Sequence, residues 1–210
     1  MKKAAMQNLV LGQVSTNCIL IKNKDTKEIL IVDPADGAAT ISQAVTGMDG
    51  NPVAILLTHG HFDHIGAVDE LREIYDGILV YANEKEKELL EDSTLNLSGM
   101  WTRPFAVKAD VFLKDDQVFT AAGFTIKMMH TPGHTNGSCC YYIEEEGILL
   151  SGDTLFHGSC GRMDFPTGSA TDMQESLKRL FRELPEETEV FPGHDSSTSI
   201  AYEKRYNPFV

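Results

Sequence analysis

Short apolar runs of β character recur along this chain, and several of them end in histidine or aspartate. The runs are Cys18-Ile-Leu-Ile, Ile29-Leu-Ile-Val, Val53-Ala-Ile-Leu-Leu, Ile78-Leu-Val-Tyr, Phe124-Thr-Ile-Lys-Met-Met, Cys140-Tyr-Tyr-Ile, Ile148-Leu-Leu and Glu189-Val-Phe. Their length and β-branched content mark them as strands. Helical periods lie between some of them: Ile41, Val45 and Met48; Val68, Leu71, Ile74 and Tyr75; then Met173, Leu177, Leu180, Phe181 and Leu184. For the last helix, Thr171 with Gln174 predicts a capping box at the start, and Pro185 predicts the stop. Many strands with a few interspersed helices predict a mixed α/β layered architecture. At 210 residues, with no linker or repeat, the chain is expected to form one domain over 1–210.

The stretch Leu56-Leu-Thr-His-Gly-His-Phe-Asp-His64 places His59, His61, Asp63 and His64 directly after a strand. Three other runs end similarly, leading to His134, to Asp153 and to His194. Loops at one end of a sheet bring side chains of distant positions together on a rigid scaffold. Imidazole nitrogens and carboxylate oxygens are the ligands of zinc-type ions, with three or four protein ligands per catalytic metal. The set His59, His61, Asp63, His64, His134, Asp153 and His194 therefore suits two metals. A bend at Gly60 is expected to let His59 and His61 face one ion while Asp63 and His64 face another, and a carboxylate such as Asp153 can bridge the two. Packing so many polar groups beside an apolar strand is costly unless a cation pairs with them.

Not every reactive residue belongs to this set. His130, at the end of its strand, is expected to hydrogen-bond locally, and His157, in a Gly/Ser loop near the presumed site, is not expected to be a ligand. Cys160 has no base supplied by the sequence around it, so it is not expected to be a nucleophile.

Composition narrows the partners. With 31 acidic against 18 basic residues the formal charge is −13, which argues against a phosphate-tracking surface and so against nucleic acid. No apolar stretch is long enough to span a membrane, and the start has no signal-like apolar core, so a cytoplasmic protein with no membrane partner is expected. Cys18, Cys139, Cys140 and Cys160 form no C-x-x-C pair and are expected to stay reduced. Cys139 and Cys140, adjacent in a strand, should point to opposite faces.

His59-x-His61-x-Asp63-His64, followed by His134, Asp153 and His194 in that order, resembles the metallo-β-lactamase superfamily over nearly the whole chain. The resemblance implies a four-layer αβ/βα sandwich with the metals at one edge. It implies one site of His59, His61 and His134, a second of Asp63, His64 and His194, and Asp153 as the bridge. Gly152-Asp-Thr-Leu-Phe156 and Gly158-Ser-Cys-Gly-Arg162 resemble the glyoxalase II branch, the hydroxyacylglutathione hydrolases, in its short bacterial single-domain form. There, Arg162 fills the place of a basic residue that contacts glutathione, whereas Asp164 and Ser196 stand where longer members have tyrosines.

The resemblance implies a hydrolase that cleaves a small-molecule thioester such as S-lactoylglutathione. Two divalent ions, zinc first with iron or manganese as alternatives, would hold a bridging hydroxide as the nucleophile. Asp63 is the expected catalytic base and Arg162 the expected contact to a substrate carboxylate. The protein is expected to be a monomer or a small homo-oligomer. The alternative is a mononuclear-iron persulfide dioxygenase of the same fold, whose Gly-Arg-x-Asp-Phe segment resembles Gly161-Arg-Met-Asp-Phe165. An exported β-lactamase and an RNA-processing nuclease fit less well, the former commonly carrying a cysteine ligand and the latter a large insertion.

Overall fold

The computed structural model describes residues 2–209. The first half builds a sheet of strands β1 (Ala4–Leu11), β2 (Thr16–Asn23), β3 (Glu28–Val32), β4 (Asn51–Leu56), β5 (Leu79–Asn83) and β6 (Val111–Leu113), hydrogen-bonded in that order. β1 with β2 and β2 with β3 pair antiparallel, and from β3 to β6 the pairing is parallel. Helices α1 (Ala38–Gly47), α2 (Phe62–Ile65), α3 (Val68–Ile74), α4 (Lys87–Glu91) and α5 (Ser98–Trp101) lie in the connections.

The second half builds another sheet from β7 (Val118–Ala121), β8 (Phe124–His130), β9 (Cys139–Ile143), β10 (Ile148–Gly152), β13 (Glu189–Pro192) and β14 (Thr198–Ser199), in the order β14-β13-β10-β9-β8-β7. A small hairpin, β11 (Leu155–Phe156) and β12 (Ser159–Cys160), sits beside it, followed by α6 (Ala170–Glu183) and, after β14, α7 (Ile200–Tyr206).

Side-chain alternation along the strands divides the apolar residues into layers. On β2 and β3, Ile19, Ile21, Leu30 and Val32 face the second sheet, where they pack with Phe124, Ile126, Met128, Tyr141 and Leu150. The intervening Cys18, Leu20, Ile29 and Ile31 face outward onto Ile41, Val45, Val68 and Leu71 of α1 and α3. In the second sheet Met129, Tyr142 and Leu149 face Met173, Leu177 and Leu180 of α6. Both faces of each sheet are thus covered, which explains why the strands read as unbroken apolar runs. The result is the expected α/β sandwich, helices outside and two sheets face to face.

Cys139 lies in the inter-sheet core and Cys140 in the layer under α6, as adjacent strand residues must. All four cysteines are free and buried. No helix among the described residues is long and apolar enough to cross a membrane.

One boundary differs from expectation. The cap of α6 is Ser169, whose Oγ accepts from Asp172 N, so Thr171 already lies inside the helix. Ser169 has extended backbone (φ −152°, ψ 117°), as an N-cap requires. The Ser-x-x-Asp pattern two residues upstream wins over Thr-x-x-Gln because the turn at Pro166–Thr167, with Thr167 at φ 70° and Gly168 N donating to Phe165 O at 2.9 Å, ends just before it.

Candidate metal centre

The loops that follow β3, β4, β8, β10 and β13 converge at one edge of the sandwich. His59 and His61 leave the end of β4, and His61 (φ −63°, ψ 148°) is the N-cap of the short helix α2, which carries Asp63 and His64. His134 comes from the β8–β9 loop, Asp153 directly follows β10, and His194 follows β13. The expectation that Gly60 supplies a tight bend is corrected: Gly60 is absent from the positive-φ glycines. Space is what it provides, since a Cβ there would lie 2.9 Å from methyl carbons of Leu89 and Leu90. Gly193 has a sharper constraint, because a Cβ would strike Asp153 Oδ1 and the His64 ring.

All seven predicted side chains meet here. His59, His61 and His134 form one group, Asp63, His64 and His194 a second, and His59, His64 and Asp153 a third, with the candidate ligand atoms of each group within 4.8 Å of one another. His61 Nδ1 lies 2.8 Å from His134 Nε2. Asp153 stands between the groups: Oδ2 is 3.5 Å from both His134 Nε2 and His194 Nε2, and Oδ1 is 3.5 Å from His64 Nε2. Asp63 Oδ2 lies 3.4 Å from both His64 Nε2 and His194 Nε2.

The buried atoms test whether a cation fits. The Nε2 atoms of His59, His61 and His64 and Oδ1 of Asp153 are buried without a hydrogen-bond partner. Orphaned polar atoms of this kind cost about 1–3 kcal/mol each, and a shared cation removes that cost. The donor set of imidazole and carboxylate is the one that zinc and iron take. The cluster fits one or two metal ions.

Electrostatics point the same way. Burial, then the neighbouring imidazoles, hold His59 and His61 well below the ordinary histidine range, so they are neutral and able to donate a lone pair. Burial also opposes charge on His64, but Asp63, Asp153 and Asp33 overcome it and hold that ring protonated in the metal-free chain. His194 is raised despite its burial by Asp63 and Asp153. Asp63, in turn, is kept far below the usual carboxylate range by His64 and His194 against the opposing effect of burial.

Several residues around the cluster were not anticipated. Asp33, at the end of β3, accepts from Thr58 N (2.8 Å), Thr58 Oγ1 (2.6 Å) and His64 Nδ1 (2.9 Å). Thr16 Oγ1 donates to Asp63 Oδ2 (2.8 Å). Glu86, buried, accepts from Gly60 N (2.8 Å) and from Thr135 Oγ1, and burial pushes its carboxyl up to about 7. Asp33 had a signal, since it too follows an apolar strand; Glu86 stands in a charged surface-like run and had none.

The cluster floors a cavity of about 480 Å³ whose walls include Phe62, Leu97, Trp101, Phe156 and Phe165. Arg162 lines it, but Nε and Nη2 are both engaged by Asp164, at 2.7 and 2.8 Å. Its guanidinium also stacks 3.8 Å over Phe165, and its carbonyl accepts from His134 Nδ1 at 2.7 Å. Cys160 lines the cavity as well, yet burial pushes its thiol up to about 11, leaving it protonated. His130 bonds Asn136 O, six residues on, whereas His157 pairs with Ser196 Oγ, 39 residues away in the loop after β13.

Residues 11–194 match the metallo-beta-lactamase superfamily. A hydroxyacylglutathione hydrolase of Haemophilus influenzae, GloC, is 34% identical over 92% of this chain and 92% of its own length. The crystal structure of the B3 metallo-beta-lactamase BLEG-1 superposes with a TM-score of 0.91 at 41% identity, covering 98% of this chain and 99% of that one. That of TTHA1623, in a di-iron-bound form, superposes with a TM-score of 0.86 at 33% identity, covering 97% and 100%. With its His and Asp residues gathered at the expected edge, this chain is a metal-dependent enzyme of the metallo-beta-lactamase superfamily.

Proposed function

We propose that the protein is a thioester hydrolase of the glyoxalase II type, acting on S-lactoylglutathione or a related acyl thiol. The observation that carries this reading is Asp153 lying 3.5 Å from ring nitrogens of both histidine groups, which would let this one carboxylate serve both groups if each held an ion. His59, His61 and His134 would hold one ion, Asp63, His64 and His194 the other. Two divalent ions, zinc in the first place, would polarise the thioester carbonyl and bring the pKa of a bound water toward about 7.

The chain's own groups set up the rest. Thr16, His64 and His194 crowd around Oδ2 of Asp63, which leaves Oδ1 to accept a hydrogen bond from the attacking water. Asp63 is thereby the orienting and proton-accepting carboxylate. The aromatic wall, Phe62, Trp101, Phe156 and Phe165, covers the acyl and thiol chains and keeps bulk water from the carbonyl. Arg162 at the wall would meet a carrier carboxylate with Nη1 while Asp164 holds the other edge of its fork. The four buried free thiols support a reducing, cytoplasmic setting. The hydroxyacylglutathione hydrolase relative at 34% identity supports the substrate class.

The deciding measurement is free-thiol release from S-D-lactoylglutathione by zinc-loaded protein, with a chelated control and metal content determined on the same sample. Metal-dependent release with about two ions per chain is expected. One iron per chain, with oxygen uptake on glutathione persulfide and no thiol release, would replace the hydrolase with the dioxygenase. Turnover of a chromogenic cephalosporin alone would move the substrate to β-lactams.

A further inference from the structure

The two halves of the three-histidine group come from different sheets, so something must fix their separation. His59 and His61 follow β4 of the first sheet, and His134 follows β8 of the second. The roots of the two loops are tied by Cys139 N donating to Thr58 O at 2.8 Å. Their tips meet at Glu86, on a 3₁₀ turn over Glu84–Glu86 that belongs to neither loop.

Glu86 is 1% exposed. Oε1 accepts from the backbone N–H of Gly60 at 2.8 Å, the residue between His59 and His61. The hydroxyl of Thr135, the residue after His134, reaches both carboxylate oxygens at 2.9 and 3.0 Å. Gly137 packs directly on Glu86, leaving no room for a Cβ against Oε2 and the Glu86 backbone. Asn83, three residues upstream, holds the same turn by donating Nδ2 to Gly137 O at 3.0 Å. Thr135 and Ser138 close the turn internally, with Thr135 N on Ser138 Oγ at 3.0 Å.

A buried carboxylate is expensive to keep where it only fills space. Here every donor it meets is adjacent to, or in the same tight loop as, a histidine of the group. We propose that Glu86 is a positioning residue that fixes the spacing of His61 and His134 and so pre-forms the three-histidine metal site across the two sheets. This rests on the metal reading given above. It touches neither substrate nor ion; it acts through Gly60 and Thr135. The closest analogy is the carboxylate that orients a ligating histidine, whose loss costs about 10–100-fold in metal affinity, except that Glu86 grips backbone and hydroxyl on two loops at once.

The test uses zinc alone, titrated against a chromophoric chelator, on metal-stripped protein. His194→Ala removes one ligand of the second group and leaves the three histidines intact, so it serves as the background. In that background Glu86→Ala is expected to weaken zinc binding by at least about tenfold, with far-UV circular dichroism and a cooperative melt retained. Thr135→Val, which removes only the hydroxyl between the carboxylate and the His134 loop, is expected to give a smaller loss in the same direction and covers the case in which Glu86→Ala does not fold. Cobalt(II) substituted at this site should show an altered visible spectrum in both variants, a change that a merely structural role would not produce. Folded variants with unchanged zinc affinity and spectrum would overturn the role of Glu86 alone. A parent chain that takes up no zinc would overturn the metal reading itself.

Discussion

His64 Nδ1 donates to Asp33 Oδ2 across 2.9 Å, with both side chains buried and 31 residues apart in sequence. The bond fixes which ring nitrogen faces the cluster: Nδ1 is taken, so Nε2 is presented to Asp63 and Asp153. Asp33 sits at φ 48°, in the left-handed region that Asn tolerates. Asp33→Asn therefore keeps the backbone and removes the charge. Metal affinity is expected to fall by about 10–100-fold, measured by chelator competition, with the fold intact by circular dichroism.

Metal-free protein should be most stable near pH 6.5. Below that value the unfolded chain protonates His59 and His61 while the folded chain, which holds them low, does not, so stability falls on acidification. Above it the folded chain retains protons on His64 and His194 that the unfolded chain has released, and stability is lost as pH rises through their raised values. Glu86, raised to about 7, opposes the first trend by a single proton and does not reverse it. Metal binding requires the deprotonated rings, so the loaded protein should instead keep gaining stability above pH 6.5. Thermal melts of stripped and zinc-loaded samples between about pH 5 and 8 check both signs.

Asp164 engages Nε and Nη2 of Arg162, and under the proposed function it limits how much of that guanidinium a substrate carboxylate can use. The pair is more than half exposed on both sides, so removing it should change the melting temperature little. Asp164→Ala frees Nε and Nη2 in one plane, the fork that a carboxylate accepts. The variant should then lower KM for an anionic glutathione thioester several-fold and leave kcat nearly unchanged. A rise in KM would show that Asp164 holds Arg162 where the substrate needs it.

What could be read from the residues was what is local or periodic. The apolar strands were legible because both faces of each sheet are buried. The cluster of candidate ligands was legible because its members follow strands and crowd together in His59 to His64. Strand β1 was not, since it pairs on one side with β2 and shows a largely half-exposed, mixed pattern. Asp33 and Glu86 escaped for a different reason: their partners, His64 and Thr135, lie 31 and 49 residues away, so that Asp33, although it follows an apolar strand, is not linked to His64 by any motif, and Glu86 stands in a charged run that carries no signal at all.

The shifted cap of α6 offers a direct check of that kind of local reading. Ser169 Oγ accepts from Asp172 N at 3.3 Å, while Thr171 has no capping role. Ser169→Ala should cost about 1 kcal/mol, seen in urea denaturation. Thr171→Ala, inside the first turn, should be neutral or slightly stabilising, because Ala is the better helix former.

Asp63 separates a role in the chemistry from a role in holding the ion. Its carboxylate is oriented by Thr16 and lies between His64 and His194, so it can serve both. Asp63→Asn retains an oxygen to accept from Thr16 and to meet an ion, but it cannot take a proton. If proton acceptance is its main contribution, kcat should fall by about 10²–10⁴-fold at saturating zinc, with KM little changed. A loss that disappears when zinc is raised would assign Asp63 to metal retention only. Steady-state kinetics at two zinc concentrations, with metal content measured alongside, distinguish the two because only the binding role responds to mass action.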